Sequence, residues 1–458
     1  MTLTKKDFGV NQDLPWRVMV VFLVIHLLMF AYDVTHPEVF LNADRAIERW
    51  GTSQHVALAL SKGDSIDAEF LLSNGLGGDY LFHGLLFFLI GKDGLIIFQI
   101  LLTLFSGYTV YGIARFWGFT TGVAATTSTI YLALPHTLIF PHQLSTEAIH
   151  CPLLVISLWL LVRFLDQQKN SFLAGSAIAL GLATFARPIT LLWAVVPTLV
   201  LFLSKKITPA IQYFLLAFLP ILVWMLFMLA NTGHFTMGEG SRDLRHHLYN
   251  RIGRISDTMD IASASHVREE FLTQGKEGSI SPQQYLRFVI DHPIPVISQT
   301  IRDTLVFAFK SGIERITIDY FVIGNVDRKF LQADSAGGWR PMFEKKGMVT
   351  TIMFMLETQG LILLISLVGA MLMAALTLLA LLGSLRMIVD WRLLNSLQRS
   401  MAIVITALPF YIWVFSQVVN ALQSRNRAPA EAAIVLLAAY GAIWLRDRWL
   451  APERKRNK

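Results

Sequence analysis

The stretch RVMVVFLVIHLLMFAYD, residues 17–33, decides the class of this protein, because it is apolar between its charged ends. A helix needs roughly 20 apolar residues to cross about 30 Å of hydrocarbon, and this stretch comes close to that length. Of the 458 residues, 54% are hydrophobic and only 16% are charged, whereas soluble proteins average about 25% charged residues. The sequence therefore predicts an all-α integral membrane protein.

Ten stretches of the chain have this apolar character. The predicted spans are 17–33, 95–117, 121–140, 148–165, 172–185, 189–203, 210–230, 360–385, 401–422 and 430–445. The stretch 172–185 is short for a crossing, and 80–90 is shorter still and is interpreted as a re-entrant or interfacial piece. We expect about ten transmembrane helices, to within one or two.

The basic residues of the short connections favour one orientation of these spans. With a cytoplasmic N-terminus, the cytoplasmic connections carry Arg115, Arg163, Lys169, Lys205, Lys206, Arg386, Arg392 and Arg399. The C-terminal tail is basic as well, so we expect both termini in the cytoplasm and the first span retained as an anchor. The net charge of +7 then belongs to these loops rather than to a nucleic-acid-binding surface. No Asn-x-Ser/Thr sequon occurs, which favours a bacterial inner membrane.

This topology divides the chain into three parts. Residues 1–230 form a transmembrane module with a first exoplasmic loop at 34–94, residues 231–347 form a mainly helical exoplasmic segment, and residues 348–458 form the last spans and the basic tail. Long connections usually carry function or structure of their own. We therefore expect exoplasmic juxtamembrane helices beside the membrane core.

One helix of the exoplasmic segment has clear boundary signals. Ser281 before Pro282 is typical of an N-cap followed by proline at the first helical position. The prolines at 293 and 295 then predict the end of that helix and the start of another amphipathic run.

The first exoplasmic loop opens with HPEVFLNADRAIERWGTSQ, residues 36–54. Asp44 and Glu48 lie four residues apart, and so do Arg45 and Arg49, so a helix here shows one acidic edge beside one basic edge. The pattern indicates either a solvated surface or chemistry at a membrane face.

Five stretches resemble GT-C type membrane glycosyltransferases, and most closely the branch of protein O-mannosyltransferases and lipid A aminoarabinose transferases. They are LNADRAIERW, LALPHTLIFPHQLSTEAIHCPLL, GLATFARPITLLW, ISPQQYLRFVIDHP and RNRAP. The likeness runs from the first span to about residue 431. It implies an enzyme that moves a hexosyl or pentosyl group from a polyprenyl-phosphate donor to a lipid, glycan or protein acceptor on the outer face.

Asp44 is the first candidate catalytic acid. A membrane-proximal carboxylate on a short helix is partly desolvated, which raises its pKa toward that of a useful base. The resemblance implies the same residue, since the essential first-loop acid of the family falls there. The pattern departs from the family at Arg45 and at Trp50, where a small or acidic residue and a tyrosine are usual. A solvated helix acid is the alternative.

Glu147 is the second candidate, because it lies at the outer start of the predicted fourth span, where acids are costly and tend to be functional. A helix start is an equal explanation, since Thr146 and Glu147 fit a cap and the positive end of the helix dipole. The nearby His136, His142 and His150 leave a divalent metal site open as an alternative, but no cofactor is firmly expected.

Arginines on the outer side run against the positive-inside bias and fit a lipid phosphate, whose oxygens guanidinium groups bind in a forked geometry. The phosphate-binding candidates are Arg187, Arg242, Arg245, Arg425 and Arg427. Snorkelling to lipid headgroups is the alternative for any one of them. Candidate cleft-lining residues are Asp79, His83, His142 and Tyr249.

Two other function classes stay open. A lipid-linked sugar transporter or flippase would place polar residues near mid-membrane and show paired repeats with broken helices. A polysaccharide polymerase or O-antigen ligase would share the large outer loop and the arginines, but those enzymes tend to place key residues in a late loop. The candidate residues concentrate at one outer edge, which favours the glycosyltransferase.

Overall fold

The structure is a computed structural model of the chain. It describes residues 13–37, 39–41, 46–73, 77–237, 240–256, 259, 261–273, 280–313, 316, 320, 348–418 and 424–456. Every regular element within these residues is helical, which confirms the predicted all-α class.

The helices follow one another along the chain with short connections. The first ten are α1 (Asp13–Thr35), α2 (Ala46–Lys62), α3 (Ala68–Ser73), α4 (Gly77–Phe116), α5 (Thr121–Ala133), α6 (Pro135–Ile139), α7 (Glu147–Gln167), α8 (Asn170–Ala186), α9 (Val195–Leu203) and α10 (Ile207–Thr232). The remainder are α11 (Gly240–Ser256), α12 (Ile261–Val267), α13 (Pro282–Asp291), α14 (Pro293–Phe309), α15 (Met348–Val389), α16 (Ser396–Val418) and α17 (Glu431–Arg456). Short 3₁₀ segments lie at Val39–Leu41, Phe140–His142, Pro188–Thr190, Leu192–Ala194, Asp390–Arg392 and Ser424–Ala430, and a π-helical turn lies at Arg268–Thr273.

Seven of the described helices are long and apolar enough to cross a membrane: α1, α4, α7, α10, α15, α16 and α17. An eighth crossing consists of two helical pieces, Thr121–Ala133 and Pro135–His142, that meet at 65°. The proline at 135 follows Leu134, whose extended backbone ends the first piece. The apolar helices at Asn170–Ala186 and Pro188–Leu203 are shorter. The predicted count of ten included both of them.

Helix α4 contains one break. Gly91 has φ 70° and ψ −177°, a conformation that favours glycine, inside an otherwise helical run of 40 residues. The piece before Gly91 is the stretch 80–90 that the sequence set apart from the spans. In the structure it is helical and packs on α2.

The bundle closes where α15 and α17 approach each other through glycines. A Cβ atom on Gly383 would lie 2.0 Å from the carbonyl oxygen of Leu437, and one on Gly441 would lie 2.2 Å from that of Leu379. Small residues let helix backbones come this close in membranes, where packing and not the hydrophobic effect holds helices together.

We therefore expect Gly383→Ala to push α15 away from α17 and to destabilise the protein by about 1–3 kcal/mol. The thermal unfolding temperature in detergent measures the loss. Gly360→Ala in the same helix is the matched control, because a Cβ on Gly360 meets no atom within 4 Å. Equal unfolding temperatures for the two variants would contradict this packing.

Aromatic and basic residues gather at one end of the bundle. Helices α7 and α17 reach this end at Phe164 and Trp444. The Lys206 ammonium lies 5.3 Å from the centre of the Phe164 ring, and Arg386 and Arg448 lie 5.9 and 5.5 Å from that of Trp444. Helices α7 and α17 begin at the opposite end, which carries the candidate site.

The exoplasmic segment has a small core of its own between α11, the π-helical turn and α13. The buried members of this core are Leu248, Ile252, Ile255, Val267, Phe271, Ile280 and Phe288. The capping prediction is confirmed, because the Ser281 hydroxyl accepts a hydrogen bond from the Gln284 amide and the Gln284 side chain accepts one from the Ser281 amide. Helix α13 ends before Pro293, as predicted.

Buried Arg251 joins this segment to the spans. Its guanidinium donates to Asp303 of α14 at 2.7 Å and to Gln417 of α16 at 3.2 Å. It also donates to Tyr285 and Thr300. Arg251 belongs to the arginine-rich run of residues 240–251, and in the structure it is a buried link between helices.

Candidate functional site

Three distant parts of the chain meet at Arg187. Its guanidinium donates to Glu147 Oε1 at 2.5 Å and to Asn426 Oδ1 at 2.7 Å. Asn426 follows Arg187 by 239 residues in sequence. The Glu147 side chain is 3% exposed and that of Arg187 is 16% exposed, so the arginine is the member of this group that reaches the surface.

The local sequence explains how these side chains meet. Pro188 disfavours helical geometry in the residue before it, and Arg187 is extended, with φ −152° and ψ 112°, where α8 ends. Glu147 is the first residue of α7 and lies at the positive end of the helix dipole. Thr146 donates from its hydroxyl to Glu147 Oε2 at 3.0 Å. The start of a helix and the partner of an arginine are thus the same residue.

A second pair lies nearby, between α2 and the first turn of α4. Arg49 Nε donates to Asp79 Oδ2 at 2.8 Å, and both residues are buried. Burial alone would lower the pKa of Arg49, but Asp79 and Glu147 outweigh it and raise that pKa above its ordinary value. His83 Nδ1 lies 2.9 Å from Asp79 Oδ1. Asp79 and His83 were predicted to line a cleft, and the structure places them in this buried charge pair.

The acidic and basic edges of α2 therefore have separate partners on α4. Glu48 accepts a hydrogen bond from the Tyr80 hydroxyl at 2.7 Å, while Arg49 bonds to Asp79. Helix α2 is described from residue 46 onward, as the spacing of charges predicted.

A third group surrounds the end of the first span. Asp33 accepts from His142 Nδ1 at 2.5 Å and from the Tyr320 hydroxyl at 3.0 Å. His142 Nε2 in turn lies 2.9 Å from His26 Nδ1. All but Tyr320 are buried. His142, predicted as a cleft-lining residue, lies instead inside the protein between Asp33 and His26.

The fourth group lies at the start of α17. Glu431 Oε1 lies 2.7 Å from His136 Nδ1 and 3.3 Å from Arg427 Nε. Arg427 also donates to the Phe307 carbonyl oxygen at 2.6 Å. Its side chain has 0% exposure, so Arg427, predicted to contact a phosphate, has no surface through which to do so here. Its position suits it to hold neighbouring residues in place.

A small pocket opens between Glu147 and Glu431. Its polar lining consists of these two carboxylates, an imidazole and hydroxyl groups, contributed by Thr103, Tyr131, His136, Thr137, Glu147 and Glu431. Neither lysine nor arginine is among its lining residues. The pocket thus offers hydrogen-bond acceptors to hydroxyl groups, while the exposed guanidinium of Arg187 lies on the other side of Glu147.

The three histidines near Glu147 do not converge. His136 bonds to Glu431, His142 to Asp33, and His150 Nδ1 to the Ala183 carbonyl oxygen at 2.8 Å. Among the residues that the structure describes, no group of three His, Cys, Asp or Glu side chains is arranged to hold a metal ion. The alternative of a metal site at this turn therefore gains no ligand set from the described residues.

Several predicted site residues fall outside the description. Asp44 lies outside the described residues, and the side chains of Arg242, Arg245 and Arg425 do as well, although the helical segments that carry these arginines are described. Tyr249 is partly buried and packs against the core of the exoplasmic segment.

Sequence reasoning missed Asp33, Asn426 and Glu431 as site residues. Asp33 and Glu431 both carry a signal that could have found them, since each is an acid at the edge of an apolar run. Asn426 carries none, because a neutral amide between two arginines attracts no attention until Arg187 is placed beside it.

The described groups share one end of the bundle, where α1 and α8 finish and α7 and α17 begin. They combine buried carboxylates with an arginine that reaches the surface, an arrangement suited to holding an anionic group at a membrane boundary. Neither a protein-family model nor a curated protein matches the chain in sequence.

Proposed function

We propose that the protein is a membrane glycosyltransferase that moves a sugar from a polyprenyl-phosphate donor to a lipid, glycan or protein acceptor on the outer face of the membrane. The observation that carries the proposal is the meeting of Glu147, Arg187 and Asn426 at the end of the bundle opposite the basic loops. Such a transfer needs an acid or base at the acceptor hydroxyl and donors at the departing phosphate.

The proposed topology follows from the same asymmetry. The basic, aromatic end faces the cytoplasm under the positive-inside rule, so the end with Arg187 faces outward. We propose ten crossings of a bacterial inner membrane in a GT-C-like arrangement, with the bent pair and the two short apolar helices each counted as a crossing. Both termini are then cytoplasmic.

Arg187 is the described residue best placed for the phosphate. A guanidinium has five N–H donors, and the bonds to Glu147 and Asn426 leave donors for phosphate oxygens. The nearby charges balance, with Arg49 and Arg187 opposite Glu147 and Asp79. A phosphate therefore needs further cations, and Arg242, Arg245 and Arg425 are the candidates.

The acid–base role in this proposal belongs to Asp44, with Glu147 as the residue that orients Arg187. The hydroxyl-binding lining of the pocket between Glu147 and Glu431 supports a polyhydroxylated group nearby. Supplying purified protein with radiolabelled polyprenyl-phosphate sugars and following the label tests the proposal. Label in an acceptor supports a transferase, label moved across a vesicle membrane on an unchanged donor supports a transporter, and label retained on a diphosphate-linked glycan supports a polymerase or ligase.

We predict that Asp44→Asn lowers transfer by about 10²–10⁴-fold, the usual contribution of a general acid or base, while membrane insertion stays normal. Initial rates with the labelled donor measure the effect. Asp64→Asn is the matched control in the same loop, because Asp64 is exposed. A wild-type rate for Asp44→Asn would remove Asp44 from the catalytic role.

A further inference from the structure

Helix α14 is amphipathic in the inverse sense of a helix on a water-soluble protein. Its polar residues Gln299 and Asp303 are buried, bonded to each other at 2.7 Å, and Asp303 also binds Arg251. Its apolar residues face outward. The exposed apolar side chains of α14 are Ile294 at 78%, Ile297 and Ile301 at 57% and Leu305 at 50%.

These four side chains form one stripe, since they follow one another at intervals of three or four residues. The stripe continues onto α13 through Leu286 and Ile290, which are 60% and 67% exposed. We call these six residues the α13–α14 stripe. Helices that face water expose polar residues and bury apolar ones, and large contiguous apolar patches mark membrane or protein contacts.

The depth of α14 is set by its hydrogen bonds to two spans. The Ala308 carbonyl oxygen accepts a bond from Thr377 at 3.0 Å, and Thr377 lies inside the apolar span Leu364–Arg392. The Thr304 hydroxyl accepts a bond from Trp413 Nε1 at 3.0 Å, and Trp413 belongs to the span Ser396–Gln417. The C-terminal half of α14 therefore lies at the level of membrane-crossing helices.

The neighbouring surface of α15 is exposed and apolar too. Leu367, Met371, Leu372 and Leu378 are each more than half exposed along the span that α14 contacts. Because the stripe and this lipid-facing surface lie on adjoining helices, one apolar medium accounts for both. Exposed Arg302 and Lys310 provide cations for the headgroup region.

We propose that α14 and the end of α13 lie in the plane of the membrane, with the α13–α14 stripe buried among the acyl chains of the leaflet at the Arg187 end of the bundle. Interfacial helices bury their apolar face in this way. The inference does not depend on the proposed glycosyl transfer. It has one consequence for access: α14 is bonded through the Phe307 carbonyl to Arg427, the neighbour of Asn426, so the site lies close to the bilayer surface.

The test is the depth of spin labels in lipid nanodiscs. The chain has one cysteine, the buried Cys151, so Cys151→Ala provides the background for Ile297→Cys and Ile301→Cys. Label accessibility to oxygen, which enters lipid, is compared with accessibility to a water-soluble nickel chelate. Leu372→Cys on α15 is the lipid-facing reference, and Gln283→Cys, at an exposed polar position of α13, is the aqueous reference.

We expect labels at 297 and 301 to match the label at 372, with high oxygen and low nickel accessibility. Nickel accessibility equal to that at 283 would overturn the proposal by placing the stripe in water. Low accessibility to both reagents would also overturn it, because a second protein surface would then cover the stripe. If labelling at 301 disturbs the fold, Ile294→Cys carries the same prediction at the most exposed position of the stripe.

Discussion

Replacement of Arg187 by alanine lowers the rate of sugar transfer by about 10²–10³-fold, the usual cost of removing one preorganised donor from a developing anion. The proposed site gives Arg187 the task of binding the departing phosphate while Glu147 and Asn426 hold its guanidinium. Arg187→Lys also loses most activity, because an ammonium cannot span both partners and fork onto phosphate oxygens. Initial rates with labelled polyprenyl-phosphate sugar measure both effects.

The control must separate loss of chemistry from loss of fold, because Arg187→Ala leaves the buried Glu147 carboxylate without this partner. The double variant Glu147→Gln with Arg187→Met removes both charges and should restore stability without restoring transfer. Arg386→Ala is the matched arginine control, since Arg386 pairs with Asp390 at the opposite end of the bundle. Wild-type transfer by Arg187→Ala would remove the phosphate role.

Replacement of Glu431 by alanine has the largest expected effect on stability. It removes the carboxylate that faces the fully buried Arg427, and breaking a buried ion pair from one side costs about 3–5 kcal/mol. His136 loses the same partner. We expect a markedly lower thermal unfolding temperature in detergent and a lower yield of inserted protein.

Two further variants test this explanation of the loss. Glu431→Met combined with Arg427→Met replaces the pair with apolar groups and should recover most of the stability. Asp447→Ala, in the same helix, breaks an ion pair with Arg446 that is more than half exposed, and such pairs contribute little. If Glu431→Ala were as stable as Asp447→Ala, the buried pair would not be what holds the start of α17.

Local patterns in the sequence predicted the elements well, for reasons that lie within a few residues. Apolar length located the long spans, and the Ser281–Pro282 pair located the start of α13, because capping chemistry involves only neighbouring residues. Pro188 predicted that α8 ends there. The start of α15 was misjudged by twelve residues, since the predicted span began at 360 and the helix begins at Met348. Hydropathy reports the apolar part of a helix and not the part that extends beyond the membrane.

Tertiary partners could be predicted only in part. Glu147 and Arg187 were both singled out because charge at a membrane edge is costly, but nothing in the local pattern joins them to each other. Arg427 was assigned to phosphate because it lies beside an outer membrane edge, yet Glu431, one helical turn later, and the Phe307 carbonyl draw it inside. Burial of a charge depends on partners far away in sequence, and one chain read alone does not reveal them.

The central claim is that the lipid phosphate binds at Arg187, at the end of the bundle opposite the basic loops. An experimental structure of the protein in nanodiscs with polyprenyl phosphate bound tests it most directly. The account predicts phosphate density within hydrogen-bonding distance of the Arg187 guanidinium, beside Glu147 and Asn426. Phosphate density at the other end, near Lys206 or Arg386, would contradict it.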